Sequence, residues 1–103
     1  MDIKKQIGLA NFNGSKVKDN DWPKELTRNQ KYTLRIVKFD YVLGKVVFSG
    51  VLVGYPDIWI TAPEDAIINI IITDSIGWTL REIVAEIRQA FWPVFLYIEK
   101  NHP

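Results

Sequence analysis

Residues 31–54, KYTLRIVKFDYVLGKVVFSGVLVG, carry the strongest fold signal in this chain. Residues 31–39 alternate between two faces, as a half-buried β-strand does. A turn over 40–44 leads into a second strand over 44–54, which is apolar on both faces. Gly50 lies in the middle of this second strand and predicts a bulge or a sharp bend. Burial on two sides requires a sandwich, a small barrel or a covering helix.

Two more strands are predicted downstream, over residues 57–61 and 66–73. The two isoleucines of the first strand point inward, so alternation sends the Trp59 side chain to the opposite face. Five β-branched isoleucines make the second a buried strand rather than a helix. Strands joined by short turns pair antiparallel. A hairpin of these two strands would bring Asp57 and Asp74 together at one end.

One helix is predicted near the C-terminus. Thr79 and Glu82 have the spacing of a capping box, and Pro93 ends the helix because its ring cannot continue the hydrogen-bond ladder. Apolar residues recur at helical spacing between them: Leu80, Ile83, Val84, Ile87 and Phe91. Residues 94–99 form a final predicted strand. The predicted class is therefore α+β: a small antiparallel curved sheet or partly open barrel of about five strands, with one amphipathic helix.

A leucine followed by a Tyr-led strand and a Gly-bounded strand, over residues 26–54, resembles SH3-like barrels. This likeness implies an SH3-like architecture and brings no functional residues with it. Residues 1–30 hold turn formers and few apolar positions, so we predict an irregular N-terminal arm before a single α+β domain over residues 31–103. Trp22 is expected to anchor this arm on the domain.

The composition favours binding over catalysis. The chain has no cysteine, and its single histidine is His102, so the residues that enzymes most often use for proton transfer, nucleophilic attack or metal ligation are missing from the predicted core. We predict no metal and no cofactor. No apolar run has the length of a signal peptide or a membrane span, so a cytoplasmic protein without a membrane partner is expected. Nine lysines against four arginines fit an AT-rich bacterial or phage genome.

Aromatic side chains are the leading candidates for a contact surface, since they supply large contact area at low entropic cost. The predicted partner-binding residues are Trp22, Trp59, Trp92, Phe95 and Tyr97. The leading hypothesis is a small non-enzymatic protein-interaction module: an adaptor, an assembly component or an inhibitor. A homo-oligomer is compatible with it, because strands that are apolar on both faces need a neighbour to cover them.

The alternative is a nucleic-acid-binding protein. Residues 1–38 hold nine Lys and Arg against four acids, and Phe12 and Trp22 are interleaved with them for base stacking. The candidate phosphate contacts are Lys4, Lys5, Lys16, Lys18, Lys24 and Arg28. A third hypothesis, an enzyme that uses a pair of carboxylates, has no residue nominated for it, because such pairs form only in the folded chain.

Overall fold

The fold is a five-stranded antiparallel sheet with one helix, seen in a computed structural model that describes residues 7–72 and 78–90. The strands follow one another in the spatial order β4-β3-β2-β1-β5. Their bounds are β1 Ile7–Asn13, β2 Lys31–Val42, β3 Lys45–Leu52, β4 Tyr55–Pro63 and β5 Ile67–Ile72; the helix, α1, is Leu80–Ala90. The predicted α+β class, with a small antiparallel sheet and a helix near the C-terminus, is confirmed. The strand predicted over residues 94–99 lies outside the described residues.

The prediction of an irregular arm over residues 1–30 is wrong for residues 7–13. These residues form β1, which pairs with β2 on one side and with β5 on the other. The alternation in β1 is hard to see in the sequence because its buried residues, Ile7, Ala10 and Phe12, are unevenly spaced. Register shifts against β5 account for this spacing. Residues 14–30 are irregular as predicted, with two short 3-10 turns, Gly14–Lys16 and Asp19–Asp21.

The sheet is open, and it is strongly curved. A third short turn, Glu64–Ala66, joins the two strands at opposite ends of the sheet, so the predicted hairpin of residues 57–61 with 66–73 does not form. Four strand spacings of a flat sheet measure about 19 Å. The four residue steps from Pro63 to Ile67 span at most about 14 Å. The sheet therefore curves to bring its two end strands within reach, which confirms the predicted curvature.

The core lies between the concave face of this sheet and the helix. From α1, Ile83, Val84 and Ile87 are buried. The predicted capping box is present, since Thr79 Oγ1 accepts from the Glu82 amide and Glu82 Oε2 accepts from the Thr79 amide, each at 3.2 Å. The largest buried side chains contributed by the strands are those of Phe12, Leu34, Phe48, Leu52, Ile60, Ile70 and Ile72.

The turns of the β2-β3-β4 meander differ from those predicted. Strand β2 continues to Val42, and the turn is the two-residue Leu43-Gly44 rather than 40–44. The tight turn predicted at residues 55–57 is part of β4, and Val53-Gly54 makes the turn instead. The bulge predicted near Gly50 is confirmed, although the extra residue, Val37, is in the neighbouring strand β2.

Candidate functional site

The convex face of the sheet carries the predicted aromatic contact residue. Trp59 pairs with Val51, and Val51 pairs in turn with Arg35, so these three side chains form a row across β4, β3 and β2 on the face away from the core. The Trp59 side chain is 49% exposed, while Ile60 beside it is fully buried. The predicted orientation of Trp59 is therefore confirmed.

A cleft of about 450 Å³ lies beside Trp59, where the 14–30 segment approaches the start of β4. It is lined by Pro23, Glu25, Asp57, Ile58 and Trp59, and we refer to it as the Trp59 cleft. Its surface is mainly apolar, with carboxylates contributed by both Glu25 and Asp57. Neither carboxylate has an ion-pair partner within residues 7–72 and 78–90. The cleft therefore combines apolar contact area with unneutralised negative charge.

Trp22 holds the 14–30 segment in place, as predicted. Its indole is partly buried against the core, lies 5.8 Å from the Tyr32 ring and donates from Nε1 to the Leu26 carbonyl oxygen at 3.1 Å. The Arg28 guanidinium lies over the indole, 5.4 Å from its centroid. Both the ring and its N–H therefore make contacts within the chain. These contacts fix the position of the next residue, Pro23, which lines the Trp59 cleft.

A second cleft, of about 350 Å³, lies at the tip of the β2-β3 hairpin. We call it the hairpin-tip groove; it is lined by Lys16, Lys18, Val42, Leu43, Lys45, Val47, Pro63 and Asp65. Lys45 Nζ lies 2.5 Å from Asp65 Oδ2, and this hydrogen bond and ion pair raise the pKa of Lys45 above its ordinary value. Lys45 is thereby matched within the chain, whereas Lys16 and Lys18 have no carboxylate partner among the described residues.

Several residues of the nucleic-acid hypothesis are committed to contacts within the chain. Phe12 is fully buried in β1 and Trp22 is engaged as above, so the expectation that these rings are free to stack on bases is not met. Arg28 is also committed, since Nη2 donates to the Val17 carbonyl oxygen and Nη1 lies 3.2 Å from the Asp19 carboxylate. The exposed phosphate candidates in the described part of the chain are Lys16, Lys18 and Lys24. Lys4 and Lys5 lie outside it.

The carboxylate pair that the predicted hairpin would have formed is not supported by the sheet topology. Asp57 was expected beside Asp74, but β4 and β5 lie at opposite ends of the sheet order, and Asp74 is not among the described residues. Glu64 accepts hydrogen bonds from the Val46 amide and from Arg88, each at 3.1 Å, which is a structural arrangement. Across residues 7–72 and 78–90, no group of three or more acidic or histidine side chains is placed to share a metal ion.

Several predicted site residues, Trp92, Phe95 and Tyr97, lie outside the described part of the chain. The residue that sequence reasoning missed is Leu43, which is 71% exposed at the tip of the β2-β3 hairpin. A signal for it exists, because a leucine directly before glycine occupies a tight turn where Asn or Asp is usual. The turn was predicted over the five residues 40–44, so the sequence analysis did not place Leu43 at a central position of a two-residue turn.

No family model matches this chain, and no curated protein or solved structure matches it either. In the described part of the chain, no helix has the length and apolar character needed to cross a bilayer.

Proposed function

We propose that this chain is a non-enzymatic protein-interaction module, an adaptor, assembly component or inhibitor, that binds a partner polypeptide in the Trp59 cleft. One observation carries the proposal: the Trp59 indole is 49% exposed on a strand whose neighbouring isoleucine is completely buried. A tryptophan buries about 150–250 Å² when it is fully covered, so leaving half of it in water forgoes a large share of its stabilising effect. Such residues dominate the binding energy of protein interfaces.

The chemistry of the cleft indicates what kind of polypeptide it suits. Pro23, Ile58 and Trp59 offer an apolar surface for one side chain, and Glu25 and Asp57 offer negative charge at the same place. A partner segment with an apolar residue beside Lys or Arg would complement both properties. Rim charges of this kind act mainly on association rate and specificity, so most of the affinity is expected from the indole.

Trp59→Ala should weaken partner binding by about 2 kcal/mol or more, or about 30-fold, and should hardly change the melting temperature. The measurement begins with a random peptide library displayed on phage and selected on the wild-type protein. The affinities of the selected basic-apolar peptides are then compared by fluorescence polarisation. Ile68→Ala is the matched control, since Ile68 is a similarly exposed apolar residue on the opposite end strand β5.

Two results would count against this proposal. A large loss of thermal stability in Trp59→Ala with peptide affinity retained would place the indole in structural packing. Failure to enrich any basic-apolar peptide on the wild-type protein would remove the Trp59 cleft as a peptide site. Sedimentation velocity at several concentrations shows whether the partner is a second copy, in which case self-association is lost in Trp59→Ala.

The nucleic-acid alternative is tested in the same series. It depends on Lys16, Lys18 and Lys24, which are exposed, and it predicts binding that falls steeply with salt. Fluorescence anisotropy with single- and double-stranded oligonucleotides at low ionic strength measures this directly. Salt-sensitive oligonucleotide binding that Trp59→Ala leaves unchanged would replace the interaction-module proposal.

A further inference from the structure

Leu43 occupies a position that neither local conformation nor packing explains. Leu43 and Gly44 form the two-residue turn between β2 and β3, with φ angles of +51° and +80°. Turns with positive φ at both central residues favour Asn, Asp and Gly. A leucine in this conformation is strained, because its Cβ crowds the following carbonyl oxygen. Its side chain is also 71% exposed, so it gains little from burial.

Residues in strained backbone conformations concentrate at ligand-binding and catalytic positions, where another requirement outweighs the strain. The residues around Leu43 indicate that this requirement is the binding of a ligand. The side chain lines the hairpin-tip groove together with Val42, which is also exposed, and with Val47 and Pro63, which are partly buried. The apolar lining therefore includes exposed side chains at the tip and partly buried ones on β3 and β4.

The charges at the groove are positive and partly unmatched. Lys45 is paired with Asp65, but Lys16 and Lys18 are exposed and have no carboxylate partner among residues 7–72 and 78–90. Their presence beside the apolar lining defines a ligand with two properties. It carries an aliphatic or aromatic group for the recess and negative charge for the two ammonium groups.

We propose that the hairpin-tip groove is a second binding site, which takes a segment of a partner polypeptide with an apolar side chain next to one or more carboxylates. The apolar side chain packs against Leu43, Val47 and Pro63, and the carboxylates lie against Lys16 and Lys18. The strained turn places the Leu43 side chain where it can contact the ligand.

Two other classes of macromolecule suit the groove less well. Single-stranded nucleic acid is bound by stacking on aromatic rings, and none of the described residues that line the groove is aromatic. Lipid surfaces are bound by extended apolar faces or by clusters of about four to eight basic residues. Among the described residues of the groove, Lys16 and Lys18 are the lysines without a carboxylate partner, and two of its apolar residues, Val47 and Pro63, are partly buried. A concave site of this size favours a side chain over a planar surface.

This site is independent of the Trp59 cleft. Both lie along strands β3 and β4, but Pro63 and Trp59 are four positions apart on β4, which is about 13 Å. Between them the hydroxyls of Ser49 and Thr61 are hydrogen-bonded to each other at 2.9 Å, so a polar pair separates the two apolar surfaces. The Trp59 cleft carries unmatched carboxylates and the groove carries unmatched lysines. Each site can therefore be lost without loss of the other.

The test uses the same phage-displayed random peptide library, selected on the full chain, with affinities measured by fluorescence polarisation. Acidic-apolar peptides should be enriched. Leu43→Asn should weaken them at least about tenfold and leave the melting temperature unchanged or raised, because Asn suits the positive φ. Lys16→Glu combined with Lys18→Glu should abolish their binding. The matched controls, Val53→Asn in the β3-β4 turn and Lys24→Glu, should leave their affinity unchanged.

The opposite behaviour would overturn the proposal. It fails if the library yields no acidic-apolar peptides, or if their affinity is the same for wild type, Leu43→Asn and the double lysine variant. It also fails if vesicles of phosphatidylserine and phosphatidylcholine, or an oligothymidine strand, bind in the Leu43- and Lys16/Lys18-dependent manner and the peptides do not. Trp59→Ala, which belongs to the other cleft, should leave acidic-apolar peptides bound.

Discussion

Gly50→Ala should destabilise the protein by about 3 kcal/mol or more, which for a domain of this size lowers the melting temperature by at least about 12 °C. A Cβ on Gly50 would lie 1.9 Å from the Arg35 carbonyl oxygen and 2.8 Å from its carbonyl carbon. Both are backbone atoms of the adjacent strand, so no side-chain rotation relieves the clash. Strands β2 and β3 would have to separate at the Val37 bulge. Thermal denaturation followed by circular dichroism measures the loss.

Gly54→Ala is the control for this substitution. Gly54 has a φ of +88° and nothing within 4 Å of the added carbon, so only the conformational cost of about 1 kcal/mol applies. If Gly50→Ala and Gly54→Ala proved equally stable, the close approach of the two strands at Gly50 would not be a constraint on this fold.

Glu64→Ala should destabilise the protein by about 2–3 kcal/mol, because the Val46 amide loses its side-chain acceptor and Arg88 loses its charged partner. Glu64 Oε1 accepts from the Val46 amide and from Arg88 Nη2, each at 3.1 Å. Arg88 in turn donates to the Gly44 carbonyl oxygen at 3.1 Å and lies over the Tyr41 ring. This carboxylate therefore joins the short turn after β4, the hairpin tip and the helix. Urea denaturation measures the change in the free energy of unfolding.

Glu64→Gln is the matched variant, since it keeps an oxygen acceptor and removes the charge. It should retain more than half of the stability that Glu64→Ala loses, because only the charge-assisted part of the Arg88 contact disappears. Equal losses in the two variants would show that the charge, rather than the acceptor at Val46, carries the effect.

Local sequence patterns correctly predicted the helix and strands whose buried residues recur at regular spacing. The capping box and apolar stripe located the helix, because both are properties of neighbouring residues. Period-two alternation correctly placed Trp59 on the face away from Ile60. The run of isoleucines correctly predicted β5.

Strand β1 was missed because a bulge at Gly8 breaks its alternation. Its buried residues fall at positions 7, 10 and 12, a spacing that matches neither strand nor helix periodicity. Only the hydrogen bonds to β2 and β5 define it as a strand. The β4-β5 hairpin was wrongly predicted for a related reason. Whether a short turn folds a chain back or carries it to the other end of a sheet depends on the curvature of that sheet.

The candidate sites likewise combine features that the sequence predicts with features that only the tertiary structure shows. Residue order was sufficient to establish the α+β class, the helix and the outward indole of Trp59, because each depends on contacts between residues a few positions apart. The two clefts depend on long-range contacts. Pro23 reaches Trp59 only because Trp22 is anchored on the core, and Lys16 reaches Leu43 only because a curved sheet brings the end of β1 to the β2-β3 turn. Such proximities are set by packing across the sheet, which no local periodicity encodes.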